Sequence, residues 1–175
     1  MNMLELKEKI KICCSAMLCT NCNLNKYLEP YIGNNAKYVL ICESPTSAAN
    51  LLTPDKSVFW ELLATHGFRK IDFAIVHSIN CFSNGKPSEY HRKMCKPVIQ
   101  DVIEQVNPKL IIVSGNFALH AITGKWGIKR YENKVNVISL FDNRYKAMYW
   151  LNISNVLYNK NIHTSIERMK NVELI

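Results

Sequence analysis

Pro108-Lys109-Leu110-Ile111-Ile112-Val113-Ser114-Gly115-Asn116-Phe117-Ala118-Leu119 is the stretch that decides the fold. Within residues 109–114, Leu110 to Val113 form an unbroken apolar run rich in β-branched side chains. Such a run reads as a strand buried on both faces. Gly115 interrupts it, and the residues through Ile122 take up helical spacing. Pro108 marks the end of the preceding helix. The same pattern recurs on either side. Tyr38 to Cys42 (YVLIC), Asp72 to Ile79 (DFAIVHSI) and Val135 to Leu140 (VNVISL) read as further strands. Ser57 to His66, ending at Gly67, reads as a helix, as do Pro97 to Val106 and Ser165 to Val172. Another helix is expected from Asn143 onward. Strands alternating with helices imply a parallel sheet covered on both faces. The expectation is one α/β domain over residues 1–175, a three-layer α/β/α sandwich on four parallel strands.

Ligand sites in such sheets lie at the carboxyl ends of the strands. The loops expected to converge there are Glu43-Ser44-Pro45-Thr46, His77 to Asn80, Gly115-Asn116 and Phe141-Asp142-Asn143.

The chain has 175 residues, a formal net charge of +8 and a sequence pI of about 9.1. This balance suits a polyanionic partner, most often nucleic acid, although a composition simply rich in Lys and Asn gives the same sum. The run from Met1 to Lys11 carries Glu5, Lys7, Glu8 and Lys9 and so lacks a secretory apolar region. No apolar run is long enough to span a membrane. An intracellular protein is expected, and seven cysteines there favour metal ligation over a disulfide framework.

Cys19-Thr20-Asn21-Cys22 is a C-x-x-C pair, and Cys81 and Cys95 flank a loop containing Gly85 and Pro87. Four thiolates suit structural zinc or a [4Fe–4S] cluster. The wide second spacing argues mildly against a zinc ribbon. The plain alternatives are a redox pair and two ordinary buried cysteines. Cys42 closes an apolar strand and reads as a small core residue.

The ordered set of motifs resembles the family-four uracil-DNA glycosylases. Its pieces are Cys19 to Leu24, Gly33 to Ala36, Cys42 to Thr46, His77 to Cys81, Cys95, and Pro108 to Leu119. Phe59-Trp60-Glu61-Leu62-Leu63, ending in Gly67-Phe68, is similar to the mismatch-specific branch of that superfamily. The resemblance implies a structural [4Fe–4S] cluster on Cys19, Cys22, Cys81 and Cys95, and hydrolysis of a base–sugar bond in DNA.

Such a reaction extrudes the target base, favours positive charge on the sugar, positions water and steadies the departing base. The family's G-E-A-P-G turn falls on Cys42 to Thr46, which keeps Glu43 and Pro45 and places Ser44 at the water-activating position. Its pyrimidine-reading asparagine falls on His77, and its His-Pro motif on Asp142-Asn143. The replacements are themselves acid–base residues. They suggest a pocket re-specified for a modified or non-uracil base, with His77 as a proton donor and Asp142 as a water activator. The alternatives are an ordinary uracil-DNA glycosylase, an inactive DNA-binding iron–sulfur module and a zinc-ribbon interaction protein. Phe59 and Trp60 are the candidates for the ring that stacks on the base, and Pro45 is expected to line the substrate pocket. Residue by residue, His77 also reads as a core histidine, Asp142 as a turn or helix cap, and the aromatic pair as core.

DNA contacts are expected from Asn116 at a helix start and from basic residues. These are Lys86, Arg92, Lys93, Lys125, Lys129, Arg130, Arg144 and Lys146. A monomer without an obligate protein partner is the default expectation.

Overall fold

The computed structural model describes residues 22–45, 58–83, 88–153 and 161–172. The strands are β1 (Cys22–Tyr27), β2 (Tyr31–Ile32), β3 (Tyr38–Cys42), β4 (Phe73–His77), β5 (Cys81–Ser83), β6 (Leu110–Ser114), β7 (Val135–Leu140) and β8 (Asn143–Trp150). The helices among the described residues are α1 (Val58–Thr65), α2 (Glu89–Val106), α3 (Asn116–Thr123) and α4 (Ile162–Val172).

Six strands form one sheet in the order β2-β4-β3-β6-β8-β7. The inner four, β4, β3, β6 and β8, are parallel; the number is the one expected, but the fourth is β8 rather than Val135–Leu140, which as β7 is an antiparallel edge, as is β2. Each of β3, β4 and β6 is buried along its whole length. That is why these strands read as unbroken apolar runs rather than alternating ones.

Alternation divides the core into two layers. Tyr38, Leu40, Phe73, Ile75, Leu110 and Ile112 pack against Phe59, Trp60 and Leu63 of α1 and Ile162, Ile166 and Met169 of α4. Val39, Ile41, Ala74, Val76, Ile111 and Val113 pack against Val98, Ile99 and Val102 of α2 and Leu119 and Ile122 of α3. The α/β/α sandwich follows directly. The chain leaves β3 for β4 on one side and then crosses to β6 on the other. The sheet therefore reverses direction at β3, the position where open α/β sheets bind ligands.

Two elements differ from the sequence reading. The helix expected from Pro97 begins eight residues earlier, at Glu89, after a Ser88 cap whose hydroxyl accepts from the His91 amide. Pro97 and Cys95 therefore lie inside α2. Its other end follows the stop signals, with Asn107 left-handed (φ 45°) before Pro108. The larger difference is at Asn143, where a strand stands in place of the expected helix. Phe141 and Asp142 both have positive φ (51° and 64°) and turn β7 tightly into β8. A two-residue hairpin with this backbone normally carries Asn-Gly or Asp-Gly, so Phe-Asp gave no hairpin signal.

Candidate active site

The hairpin relocates one wall of the cleft. β8 is parallel to β6, with Ser114 paired to Trp150. Asp142 therefore precedes the amino end of β8, and the strand separates it from the carboxyl ends by about 23 Å at ~3.3 Å per residue. The expected placement of Asp142 and Arg144 at the cleft is thus corrected. Both are exposed at the opposite end of the sheet, with Lys146 on the same strand. The segment that follows the last parallel strand is Leu151-Asn152-Ile153.

Glu43 is where the loops meet. It immediately follows β3. Its Oε1 accepts from the Phe117 amide of α3 at 3.2 Å, and its Oε2 accepts from Asn152 Nδ2 at 2.5 Å. One carboxylate thereby joins the carboxyl ends of β3, β6 and β8. The carboxylate thus sits at the amino end of α3, where the backbone amides point at it. The approach requires glycine at 115. A Cβ there would sit 2.3 Å from Glu43 Oε1, on a backbone with φ +94°. Gly115 N also donates to Trp150 O, and Ser114 Oγ to Leu151 O, fastening the end of β6 to the end of β8. Ser44 is half-buried beside Glu43 and Pro45 is buried. Burial, with Glu43 adding to it, pushes the Cys42 thiol well above its ordinary range.

The fourth wall is the segment after β4. His77 pairs in register with Cys42, and Ser78 N donates to Cys42 O. The His77 amide donates to Asn80 Oδ1 at 3.0 Å. His77, Ser78 and Asn80 are 3%, 0% and 2% exposed. His77 Nδ1, Ser78 Oγ and Asn80 Nδ2 nevertheless have no hydrogen-bond partner, and neither has Trp150 Nε1 at the end of β8. An unpaired buried polar atom costs about 1–3 kcal/mol, so such a group calls for a ligand or water. Burial pushes the pKa of His77 down to about 4. The imidazole is thus neutral at pH 7, which corrects its expected part as a standing proton donor.

The remaining expected residues are placed as follows. Phe59 is fully buried in the core, its ring against Trp60 (5.0 Å) and Trp150 (6.3 Å), so it presents no free face for a base. The side chain of Asn116 is committed: its Oδ1 accepts from the Gly127 and Ile128 amides at 3.1 and 2.9 Å. At the start of α3 the Phe117 amide is taken by the protein's own Glu43. Cys19 and Lys86 lie outside the described residues. The backbone of β1 pairs antiparallel with β5, with Cys22 opposite Ser83 and Tyr27 opposite Cys81. Cys81 is buried and disulfide-bonded, and Cys95 is half-buried in α2. Among the described residues no three His, Cys, Asp or Glu side chains gather as a metal site.

Sequence reasoning missed Asn152, and it placed Ser78 and Asn80 at the cleft only as part of the loop His77 to Asn80, without a role of their own. Asn152 was within reach, because Ala147 to Leu151 (AMYWL) is an apolar, aromatic run that ends at a polar turn. Ser78 and Asn80 carry no signal beyond their proximity to His77.

A three-layer sandwich with a clamped carboxylate and unpaired polar atoms at its topological switch point defines an α/β protein of the kind that binds ligands at the carboxyl ends of its strands. The uracil DNA glycosylase superfamily model matches residues 29–165, and the chain belongs to that superfamily. Its members are generally hydrolytic DNA glycosylases, so DNA is the substrate class that this membership brings with it. No curated protein matches the chain. No helix among the described residues is long and apolar enough to cross a membrane.

Proposed function

We propose that the protein is a DNA glycosylase that extrudes a modified or non-uracil base and hydrolyses its bond to the sugar. The observation that carries this reading is the Glu43 carboxylate, held by two donors beside a wall of unpaired buried polar atoms. Each carboxylate oxygen accepts more than one hydrogen bond, so Glu43 retains room for a water. Its negative charge favours the positive charge that grows on the sugar as the bond breaks, and the Ser44 hydroxyl orients the same water. Asn152 supplies an amide donor at the end of β8, where negative charge on a departing base would need one.

His77 Nδ1, Ser78 Oγ and Asn80 Nδ2 are suited to reading the edge of the extruded base. An asparagine at position 77 would offer uracil a matched donor and acceptor. A neutral imidazole offers one atom in that place, and this supports a different target. The test is incubation with uracil-containing and base-modified oligonucleotides, followed by scoring of abasic sites. Cleavage confined to modified bases supports the reading, and preferential release of uracil points to an ordinary uracil-DNA glycosylase. DNA binding without any abasic sites leaves an inactive module.

A [4Fe–4S] cluster on Cys19, Cys22, Cys81 and Cys95 belongs to the same proposal. One observation fits it: the β1–β5 ladder brings the backbone of Cys22 within two residues of Cys81 in register. Cys81 is disulfide-bonded in this structure, so its thiolate would ligate iron once that bond is reduced. The group would tie the N-terminal segment to α2 and serve as a brace rather than a reactant. Visible absorbance and iron analysis of an anaerobic preparation test it; a colourless protein with stoichiometric zinc excludes it.

A further inference from the structure

The first and second turns of α2 and the C-terminal half of α3 enclose a groove of about 480 Å³. Arg92, Lys93, Lys96 and His120 line it, opposed by one carboxylate, Glu89, which pairs with Lys93 at 3.2 Å. Trp126 stands beside it, 49% exposed. One face of its indole stacks on His120 (4.3 Å, 26°), and its edge meets Phe117 at 5.6 Å. The Arg92 guanidinium lies 5.5 Å from the Phe117 ring and 5.6 Å from Trp126. The Asn116 side chain pins residues 127 and 128 back against the start of α3. The indole is therefore a rigid platform one helical turn from the amide that holds Glu43.

An exposed aromatic face backed by His120, beside a groove lined by three cations, fits a single nucleic-acid strand: one base stacks while the neighbouring phosphates follow the cations. Paired bases in a duplex have no free face to offer, and the groove is too small for a double helix. Resting on the proposed action on DNA, we propose that the α2–α3 groove seats a single-stranded DNA segment next to the extruded nucleotide, with Trp126 as its stacking platform. The protein would then prefer single-stranded or locally opened DNA.

The other two tryptophans, Trp60 and Trp150, are 9% and 1% exposed, so fluorescence isolates Trp126 as the accessible indole. The probe is an eight-nucleotide oligothymidylate, which contains neither uracil nor a modified base, and binding is read without turnover by confirming that it yields no abasic sites. Saturable quenching is expected, with tighter binding than to a duplex of equal length. Trp126→Ala should weaken binding about 5- to 100-fold, while Trp126→Phe should keep most of the affinity and lose the quenching. Lys93→Ala combined with Lys96→Ala should lower the salt slope by about 1.4. Unchanged urea midpoints confirm that the variants fold. Equal affinity of Trp126→Ala and wild type, or preference for the duplex, overturns the inference and leaves the glycosylase reading standing. Absence of abasic sites from every substrate, with quenching intact, removes that reading and retains the groove.

Discussion

Gly115→Ala offers the sharpest test of the site's geometry, because its cost separates into two measurable parts. The new Cβ would lie 2.3 Å from Glu43 Oε1 and 2.4 Å from its Cδ and Cγ. A retreat of about 1 Å carries the 3.2 Å bond to the Phe117 amide out of range and stretches the 2.5 Å bond to Asn152. Hydrogen bonds to charged groups contribute about 1.5–3 kcal/mol each, so this part comes to about 2–4 kcal/mol. The backbone at Gly115 (φ 94°, ψ 163°), in a region essentially confined to glycine, adds a further ~1–3 kcal/mol for any residue with a Cβ. Gly124→Ala is the comparison for an open position: it is left-handed (φ 71°, ψ 3°) and has nothing within 4 Å of its Cβ. Urea unfolding should place the Gly115 variant about 2–4 kcal/mol below the Gly124 variant at an unchanged m-value. In a Glu43→Ala background the obstructing side chain is gone. Gly115→Ala should then cost about 2–4 kcal/mol less than it does with Glu43 present, closing a double-mutant cycle. A difference below about 0.5 kcal/mol between the two glycine variants, or no coupling to Glu43, would refute the clamp.

Three further outcomes follow. Glu43→Gln keeps both hydrogen bonds if the Asn152 amide turns over, so it removes charge with little loss of structure. Base release should fall about 10²- to 10³-fold in single-turnover assays, and activity within a few-fold of wild type would exclude a charge role. His77 titrates near 4 in the fold against about 6.5 when unfolded, so between those values the unfolded chain holds the extra proton. Stability should fall by about 3 kcal/mol as pH drops from 6.5 to 4, and His77→Gln should remove that part of the slope; identical pH profiles would contradict the buried neutral imidazole. Asp142→Gly suits the left-handed turn and lies far from the cleft, so base release should be unchanged; a large loss of release would return Asp142 to the site.

The parallel strands were legible because each is buried on both faces, and burial on both faces leaves an unbroken apolar run in the chain. Tyr38 to Cys42 and Leu110 to Ser114 show this directly. Gly115 and Glu43 were also legible, as a strand-to-helix break and as part of a recognisable turn. Local chemistry misled at Asn143, because a Phe-Asp hairpin carries none of the usual turn residues and β7 is largely exposed. That single error moved the fourth wall of the cleft from one end of the sheet to the other.

The sequence by itself determined the layer architecture, three of the four loops at the cleft and the superfamily to which they belong. These depend on periodicity and on residues close together in the chain. Only the tertiary structure decided that Asn152 rather than Asp142 faces Glu43, that His77 is neutral, and that Asn116 braces a turn instead of awaiting a phosphate. The physical reason is common to all three. Strand direction, desolvation and hydrogen-bond partnership are set by neighbours distant along the chain, and they exist only once the sheet has formed.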